Sequence, residues 1–593
     1  MNINKQECDV LNALAAVPYV NQRTLAEHCG HSLGIVNRAV KSLGEKGYLG
    51  ENMELTALAR ERMAQYRPKH AVILAAGFGM RMVPINVEVS KGLLKVKGEP
   101  LVERLICQLH EAGVTDIQIV VGFRKEEYEY LIDKYGVDLI VNPHYAEKNN
   151  LHSLKLALAH LEDSYIVPCD IWCAENPFRT SELYSWYMVT DALSGYSPVK
   201  VNRRKELVRV PKGADGNVMI GLAYVTAQDA PHLCENIREM CENSGYDDAF
   251  WEDALFEKDA MLLLARVEKA EKVIEINTFE QLRDLDGESK DLKSEAINAI
   301  TSALGVAEKE IREITVQKKG MTNRSFLFSC QGKRYIMRIP GEGTDRLINR
   351  YQEAEVYRTI ADKKLCDDIA YINSDNGYKL TVYLEGARVC DPLNVEDLKA
   401  CMAKLRQFHG MELQVNHEFD IFGQMEFYES LWNGKPSAYR DYRQTKENVL
   451  SLREYIAAHA GRKVLTHIDA VPDNFLFVEH SDGTRDIRLI DWEYAGMQDP
   501  HVDVAMFCIY SLYDRAHVDQ LIDLYFENNC SPETRVKIYC YIAACGLLWS
   551  NWCEYKASLG VEFGEYSLRQ YRYAKDYFRI ARSEMEKMEE NAQ

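Results

Sequence analysis

At residue 70 the sequence turns into HAVILAAGFGM, an unbroken apolar run ending in paired glycines. A run without alternation cannot lie half in water; it requires a strand buried on both faces, as a parallel sheet covered by helices provides. The stretches that follow obey the same requirement. Strand-like IQIVVGF, LIVN and YIVPCDIW are separated by helical LVERLICQLHEAG and SLKLALAHLE, the alternation that builds a mostly parallel α/β sheet. The rhythm fades after about Glu268, and the charged, helical EQLRDLDGESKDLKSEAINAI closes the domain near residue 288. From Ile311 the pattern changes to the paired strands ITVQKKG and RSFLFSCQGKRYIMRIP, and helices dominate after Val395, the order of a two-lobed α+β domain.

With 593 residues the chain has room for about three domains. Its formal charge of −19 argues against a general binder of nucleic acid or anionic membrane, which needs a broad basic face. The 16 cysteines are scattered without any C-x-x-C pair, a pattern of reduced thiols that points to a cytoplasmic protein. The N-terminus MNINKQECDV lacks the features of a signal peptide, and the longest apolar stretch, Ile538 to Trp549, is too short to span a bilayer.

Residues 1–66 read as a series of helices: VLNALAAV, RTLAEHCG, then LGIVNRAVKSLGEKGYLG and MELTALARERMAQY. This segment resembles the winged-helix family, an α+β fold. Gln22 to Cys29 would be the first helix of the helix-turn-helix, Ser32 the N-cap, and Leu33 to Lys46 the recognition helix offering Asn37, Arg38 and Lys41. Seven basic residues balance seven acidic ones here, so DNA binding through this segment is expected to be weak.

In LAAGFGMRM, Ala76, Gly77 and Gly79 follow the buried strand, where bare backbone can wrap a triphosphate. The following SKGLLKVKGEPLV resembles the second signature of the nucleotidyltransferases that activate sugar phosphates and phosphocholine, α/β enzymes with a Rossmann-like mixed sheet. The resemblance covers residues 70–286 and narrows toward phosphocholine cytidylyltransferases. It implies that Arg81 and Lys91 neutralise charge on the α-phosphate and the departing pyrophosphate. By the same resemblance Asp170 of VPCDIW and Asn277 of VIEIN hold Mg²⁺, Asn149, Asn150 and Ser153 mark the subgroup, and Asp248, Trp251 and Glu252 of YDDAFWED receive the choline ammonium. Two positions depart from the family pattern: Met80 replaces a usual Ser or Thr, and Ser90 replaces a common proline.

Further on, LTHIDAVPDNFLF supplies His467, Asp469 and Asn474, and the later strand end LIDWEY supplies Asp491. Phosphoryl transfer needs a carboxylate to take the proton of the attacking hydroxyl and oxygens to hold metal on the nucleotide; Asp469 is the expected base, and Asn474 and Asp491 the metal ligands. His467 is expected to brace the loop. The turn KKGMTNRSFLF, with Gly320, Thr322 and Asn323, can cover nucleotide phosphates. From about 311 to 580 the chain resembles bacterial choline kinases and, more distantly, aminoglycoside phosphotransferases, both protein-kinase-like. The resemblance implies that Arg338 replaces the kinase lysine, that Glu353 or alternatively Glu355 is its helix partner, and that Tyr494, Trp549 and Trp552 form the box for trimethylammonium. It also makes Asp499 and Asp503 of DPHVDVAMF a brace near the metal loop.

The sequence thus predicts a winged helix at 1–66, a nucleotidyltransferase at 70–288 and a choline-kinase-like domain at 295–585. Choline and ATP would give phosphocholine, and phosphocholine and CTP would give CDP-choline, with Mg²⁺ at both sites, for cell-surface phosphocholine decoration. Three rival readings keep ethanolamine or an aminophosphonate as ligand, a sugar 1-phosphate with UTP, or a DNA-binding regulator with metabolite-sensing domains. No oligomeric state is predicted.

Overall fold

The computed structural model describes residues 3–592 apart from 78, 80–81, 83, 86–88, 257–262, 318–322, 342–343, 345–346, 480–484, 560 and 562. The chain forms two compact units, Met1–Asn298 and Ala299–Gln593.

The first unit opens with helices Lys5–Ala16, Gln22–Cys29, Leu33–Glu45 and Ala57–Ala64. Asn4 caps the first through a reciprocal capping box with Glu7, and Asn21 caps the second. Gly30, at φ +60°, ends the second helix, and Ser32 starts the third as expected. Val10, Leu11, Leu25, Val36, Val40 and Leu43 make the core of this segment. The only β pairing among its described residues is one antiparallel bridge, Leu49 to Leu55.

The remainder of the unit is built on a seven-stranded sheet. From edge to edge the strands are Leu264–Glu268, Trp186–Ser194, Gly216–Val225, Ser164–Pro168, His70–Ala75, Asp116–Val121 and Asp138–Val141. The expected strands form the parallel part, with His70–Ala75 buried at the centre between Ser164–Pro168 and Asp116–Val121. Gly216–Val225 runs antiparallel to its neighbours, so the sheet is mixed. A short ribbon, Ile171–Cys173 with Val273–Glu275, brings the end of the domain back to the carboxyl edge of the sheet.

In the second unit a five-stranded antiparallel sheet has the order Arg312–Val316, Asn323–Cys330, Lys333–Pro340, Lys379–Val382, Ile369–Ile372. Helix Arg350–Ile360 is inserted between its third strand and the Ile369–Ile372 and Lys379–Val382 pair. The helical part carries a small three-stranded sheet and a two-stranded ribbon and ends in two long helices, Pro532–Ser558 and Glu565–Ala592. Helix Pro532–Ser558 is buried over most of its length, from Val536 to Lys556. Among the described residues no helix is long and apolar enough to cross a membrane.

Candidate active sites

In the first unit the ribbon pairs Glu275 with Ile171, and the Ile276 amide donates to the Asp170 carbonyl at 2.8 Å, which sets Asn277 beside Asp170. The Lys91 ammonium bridges the two, donating to Asp170 Oδ2 and, at 2.8 Å, to Asn277 Oδ1. An ammonium held between these oxygens is a stand-in cation, and the donor set suits a hard divalent ion. Gly79, at φ +59°, lies against Lys91; a Cβ there would come 3.3 Å from the lysine's own. Arg81 lies outside the described residues. Ser90 has a local use of its own, sharing a 2.6 Å hydrogen bond with the Tyr128 hydroxyl.

The expected ammonium site is rearranged. Asn149 Nδ2 donates to the Asp248 carbonyl, Asn150 Oδ1 accepts from the Trp251 amide at 2.8 Å, and Ser153 Oγ accepts from Asn142. Asn149 and Asn150 therefore brace the 247–252 loop, while Ser153 is tied to Asn142. Trp251 is 1% exposed, its ring lies 5.8 Å from that of Tyr187, and it packs in the core. Asp248 is exposed. Glu252 remains the candidate. Its Oε1 accepts from the Tyr187 hydroxyl at 3.1 Å, its Oε2 is shielded from solvent with no hydrogen-bond partner among the described residues, and burial pushes its carboxyl up to about 7. Sequence reasoning missed Gly122, where a Cβ would strike Tyr145 and the Ala76 carbonyl; the only signal was its place at a strand end.

The second unit brings Asp469, Asn474 and Asp491 together. Strand Val464–Thr466 delivers the 467–469 loop, the 3-10 turn Pro472–Asn474 delivers Asn474, and strand Arg485–Leu489 ends next to Asp491. Two backbones there are strained: Ile468 at φ +70° and Asp491 at φ +67°, conformations rare outside glycine. Asp503 holds the first in place by accepting the His467 and Ile468 amides at 3.0 and 2.7 Å, with His409 Nε2 at 2.9 Å. His467 is a brace as expected, its Nε2 on the Ile490 carbonyl and its ring 4.5 Å from Trp492; burial pulls it down to about 4, so it is neutral. Asp499 serves elsewhere, pairing with Lys537 at 2.7 Å.

Asn474 Nδ2 donates to Asp469 Oδ2 at 3.1 Å, which leaves its amide oxygen for a cation alongside Asp491. Burial, then the charges of Asp491 and Glu493, raise the Asp469 carboxyl to about 8. Arg338 clamps Glu353 in two bonds, 2.5 and 2.9 Å. Burial would raise the Glu353 carboxyl, but the arginine holds it at about 2. Glu355, the alternative partner, instead bonds Asn416 and His417. Asn323 donates to Glu493 at 3.0 Å, and Gly320 and Thr322 lie outside the described residues.

A cavity of about 540 Å³ joins Asp469, Asn474 and Asp491 to Tyr494, Trp549 and Trp552. Trp549 stands edge-on to both Trp552 (5.6 Å, 82°) and Tyr494 (5.5 Å, 88°), and its indole N–H reaches Met506 Sδ at 3.0 Å. Tyr510 and Tyr566 complete the wall; neither was foreseen, because single tyrosines in helices carry no local signal.

Residues 71–181 match the MobA-like NTP transferase domain, and residues 314–540 match the choline/ethanolamine kinase family. The chain is 32% identical over 226 residues to a 2-aminoethylphosphonate cytidylyltransferase of Lancefieldella rimae, covering 37% of this chain and 92% of that one. It is 31% identical over 221 residues to the choline-phosphate cytidylyltransferase of Streptococcus pneumoniae, with coverages of 36% and 96%. It is 27% identical over 277 residues to Protein LicA of Haemophilus influenzae, with coverages of 42% and 96%.

Proposed function

We infer that this chain, which belongs to the cytidylyltransferases of the MobA-like NTP transferase class and also carries a choline/ethanolamine kinase domain, makes CDP-choline in two consecutive steps. The kinase moves the γ-phosphoryl group of ATP to the choline hydroxyl, giving phosphocholine and ADP. The transferase moves CMP from CTP to phosphocholine, giving CDP-choline and pyrophosphate. The observation that carries this reading is the single cavity shared by Asp469 and the Tyr494, Trp549 and Trp552 rings. A trimethylammonium seated on those rings gains about 0.5 to 2 kcal/mol per face, and its hydroxyl end then extends toward Asp469.

Asp469 takes the hydroxyl proton as phosphorus is attacked, and Asn474 and Asp491 would hold Mg²⁺, which would supply charge neutralisation on the ATP phosphates. In the transferase Asp170 and Asn277 would hold Mg²⁺. Lys91 would supply its charge to the triphosphate, and Arg81 is assigned the same duty. Glu252 faces the ammonium. CDP-choline then serves phosphocholine decoration of a cell-surface glycan or lipid. Residues 1–66 form a winged helix that binds DNA weakly at most.

The 2-aminoethylphosphonate relative supports a second reading. An aminophosphonate already carries phosphorus on carbon and gives a kinase nothing to do, so the fused kinase favours an amino alcohol. The faces of Tyr494, Trp549 and Trp552 suit the methyls of a trimethylammonium better than the N–H groups of ethanolamine. The test is to incubate the protein with choline, ATP, CTP and Mg²⁺ and follow the products by mass. Phosphocholine followed by CDP-choline is expected; preference for ethanolamine, or cytidylylation of 2-aminoethylphosphonate over phosphocholine, would reject the reading.

A further inference from the structure

Arg338 was expected to face the nucleotide phosphates, yet its guanidinium is largely spent. Besides the two bonds to Glu353 it donates to the Gly377 carbonyl at 2.9 Å and lies 3.7 Å from Glu493. Its remaining Nε–H is buried. A cation so neutralised has little field left for a polyphosphate entering a cleft that already contains Asp469, Asp473, Asp491 and Glu493.

Lys379 is the direct register partner of Arg338 across strands Lys333–Pro340 and Lys379–Val382, so both side chains leave the same face of the sheet. It lines the same cavity and is 7% exposed. Its ammonium donates to the Tyr357 hydroxyl, and no carboxylate among the described residues lies within ion-pair distance of it. Among the described residues two of its three N–H donors therefore remain. The Tyr357 hydroxyl also accepts the Trp492 amide at 3.4 Å, which anchors the ammonium beside the residue that follows Asp491. Asp491 is assigned to the metal, and a metal-bound polyphosphate would lie within reach of that position.

We propose that Lys379 binds the phosphates of ATP, and that Arg338 instead fixes helix Arg350–Ile360 through Glu353. The proposal rests on the kinase reading of this unit. Lys379→Met should raise the KM for ATP about tenfold or more, hold the KM for choline within about twofold, and leave inhibition by adenosine, which has no phosphate, unchanged. Lys379→Arg should recover part of the ATP affinity. Lys379→Gln, which keeps a donor but no charge, should behave like the methionine variant.

An unchanged ATP KM in Lys379→Met would overturn the proposal. So would parallel losses of ATP and adenosine affinity, or a choline KM raised as much as the ATP KM in both neutral variants, since the lysine would then be structural. Wild-type protein that phosphorylates no amino alcohol would instead overturn the kinase reading, so the two failures are distinct.

Discussion

Asp503 is the residue on which the kinase loop most depends, although it touches no reacting group. Its fully buried carboxylate satisfies two amides around the strained Ile468 and one histidine nitrogen, and leaving such groups unpaired costs about 1 to 3 kcal/mol each. Asp503→Ala should therefore lower kcat for choline phosphorylation about a hundredfold or more and raise the choline KM far less, because the loop moves and the aromatic cage does not. Steady-state kinetics on the variant separate the two parameters. Glu252 makes a pH prediction for the other reaction. Its carboxyl is raised from the ordinary value to about 7, so the charged form is disfavoured in the fold: its contribution to stability is present at low pH and fades as pH rises through about 7. An ammonium substrate prefers the charged form. The ionised fraction rises from about a tenth at pH 6 to about nine tenths at pH 8, and the phosphocholine KM of the wild type should fall several-fold over that range. Glu252→Gln should show a higher KM without that component; a Gln variant whose pH profile matches the wild type would remove Glu252 from the site.

At the scale of elements, the proposed selection of choline falls to helix Pro532–Ser558. Its tryptophans are three residues apart, a spacing that puts both on one face. Trp549→Ala and Trp552→Ala should each raise the choline KM roughly 2- to 30-fold through lost cation-π attraction, with the ATP KM nearly constant. The helix is held in register by Gly546, where a Cβ would come 2.8 Å from the Gln570 carbonyl and the Tyr573 Cβ of helix Glu565–Ala592. Gly546→Ala should force the two helices apart, lowering the thermal midpoint and raising the choline KM together. Elements of this kind were legible where their pattern was continuous. The apolar runs His70–Ala75, Asp116–Val121 and Ser164–Pro168 announced themselves, and Asp469, Asn474 and Asp491 followed from spacing around a strand-turn-strand. Trp186–Ser194 and Gly216–Val225 did not, because both mix polar and apolar residues and their pairing is non-local. Lys379 escaped for a related reason: a lysine in a short strand gains meaning only when the pairing sets it beside an arginine already committed elsewhere.

At the scale of the whole molecule, each compact unit contains its own complete set of candidate groups, so single substitutions should divide the two activities. Asp469→Asn should abolish choline phosphorylation and spare CDP-choline formation from supplied phosphocholine, while Asp170→Ala or Lys91→Ala should do the reverse and let phosphocholine accumulate. One variant that silenced both reactions in folded protein would refute two independent sites. The N-terminal segment calls for a different experiment, because it is docked on the transferase. The Tyr184 hydroxyl donates to Asp9 Oδ1 at 2.5 Å, His31 Nε2 meets Asp9 Oδ2 at 2.7 Å, and Leu183 packs on the segment's core. Burial would raise the Asp9 carboxyl, but His31, Lys5 and Tyr184 hold it below its ordinary value, the mark of a satisfied buried anion. Trp186 opposes Tyr224, and Val225 opposes Ser164, so this contact lies at the amino edge of the parallel strands, while Asp170 lies beyond their carboxyl edge. Removing residues 1–66 should accordingly uncover Leu183 and Tyr184 and lower the thermal midpoint of the transferase by several degrees, at about 2 to 4 °C per kcal/mol lost. It should leave kcat for cytidylyl transfer within about twofold, since no group at the carboxyl edge loses a partner. Tyr184→Phe in the full chain should reproduce part of the midpoint shift by leaving Asp9 short of one donor. A truncated protein with unchanged midpoint would show that the docking contributes nothing to stability, and one with kcat reduced tenfold or more would mean that the segment acts on catalysis across the sheet.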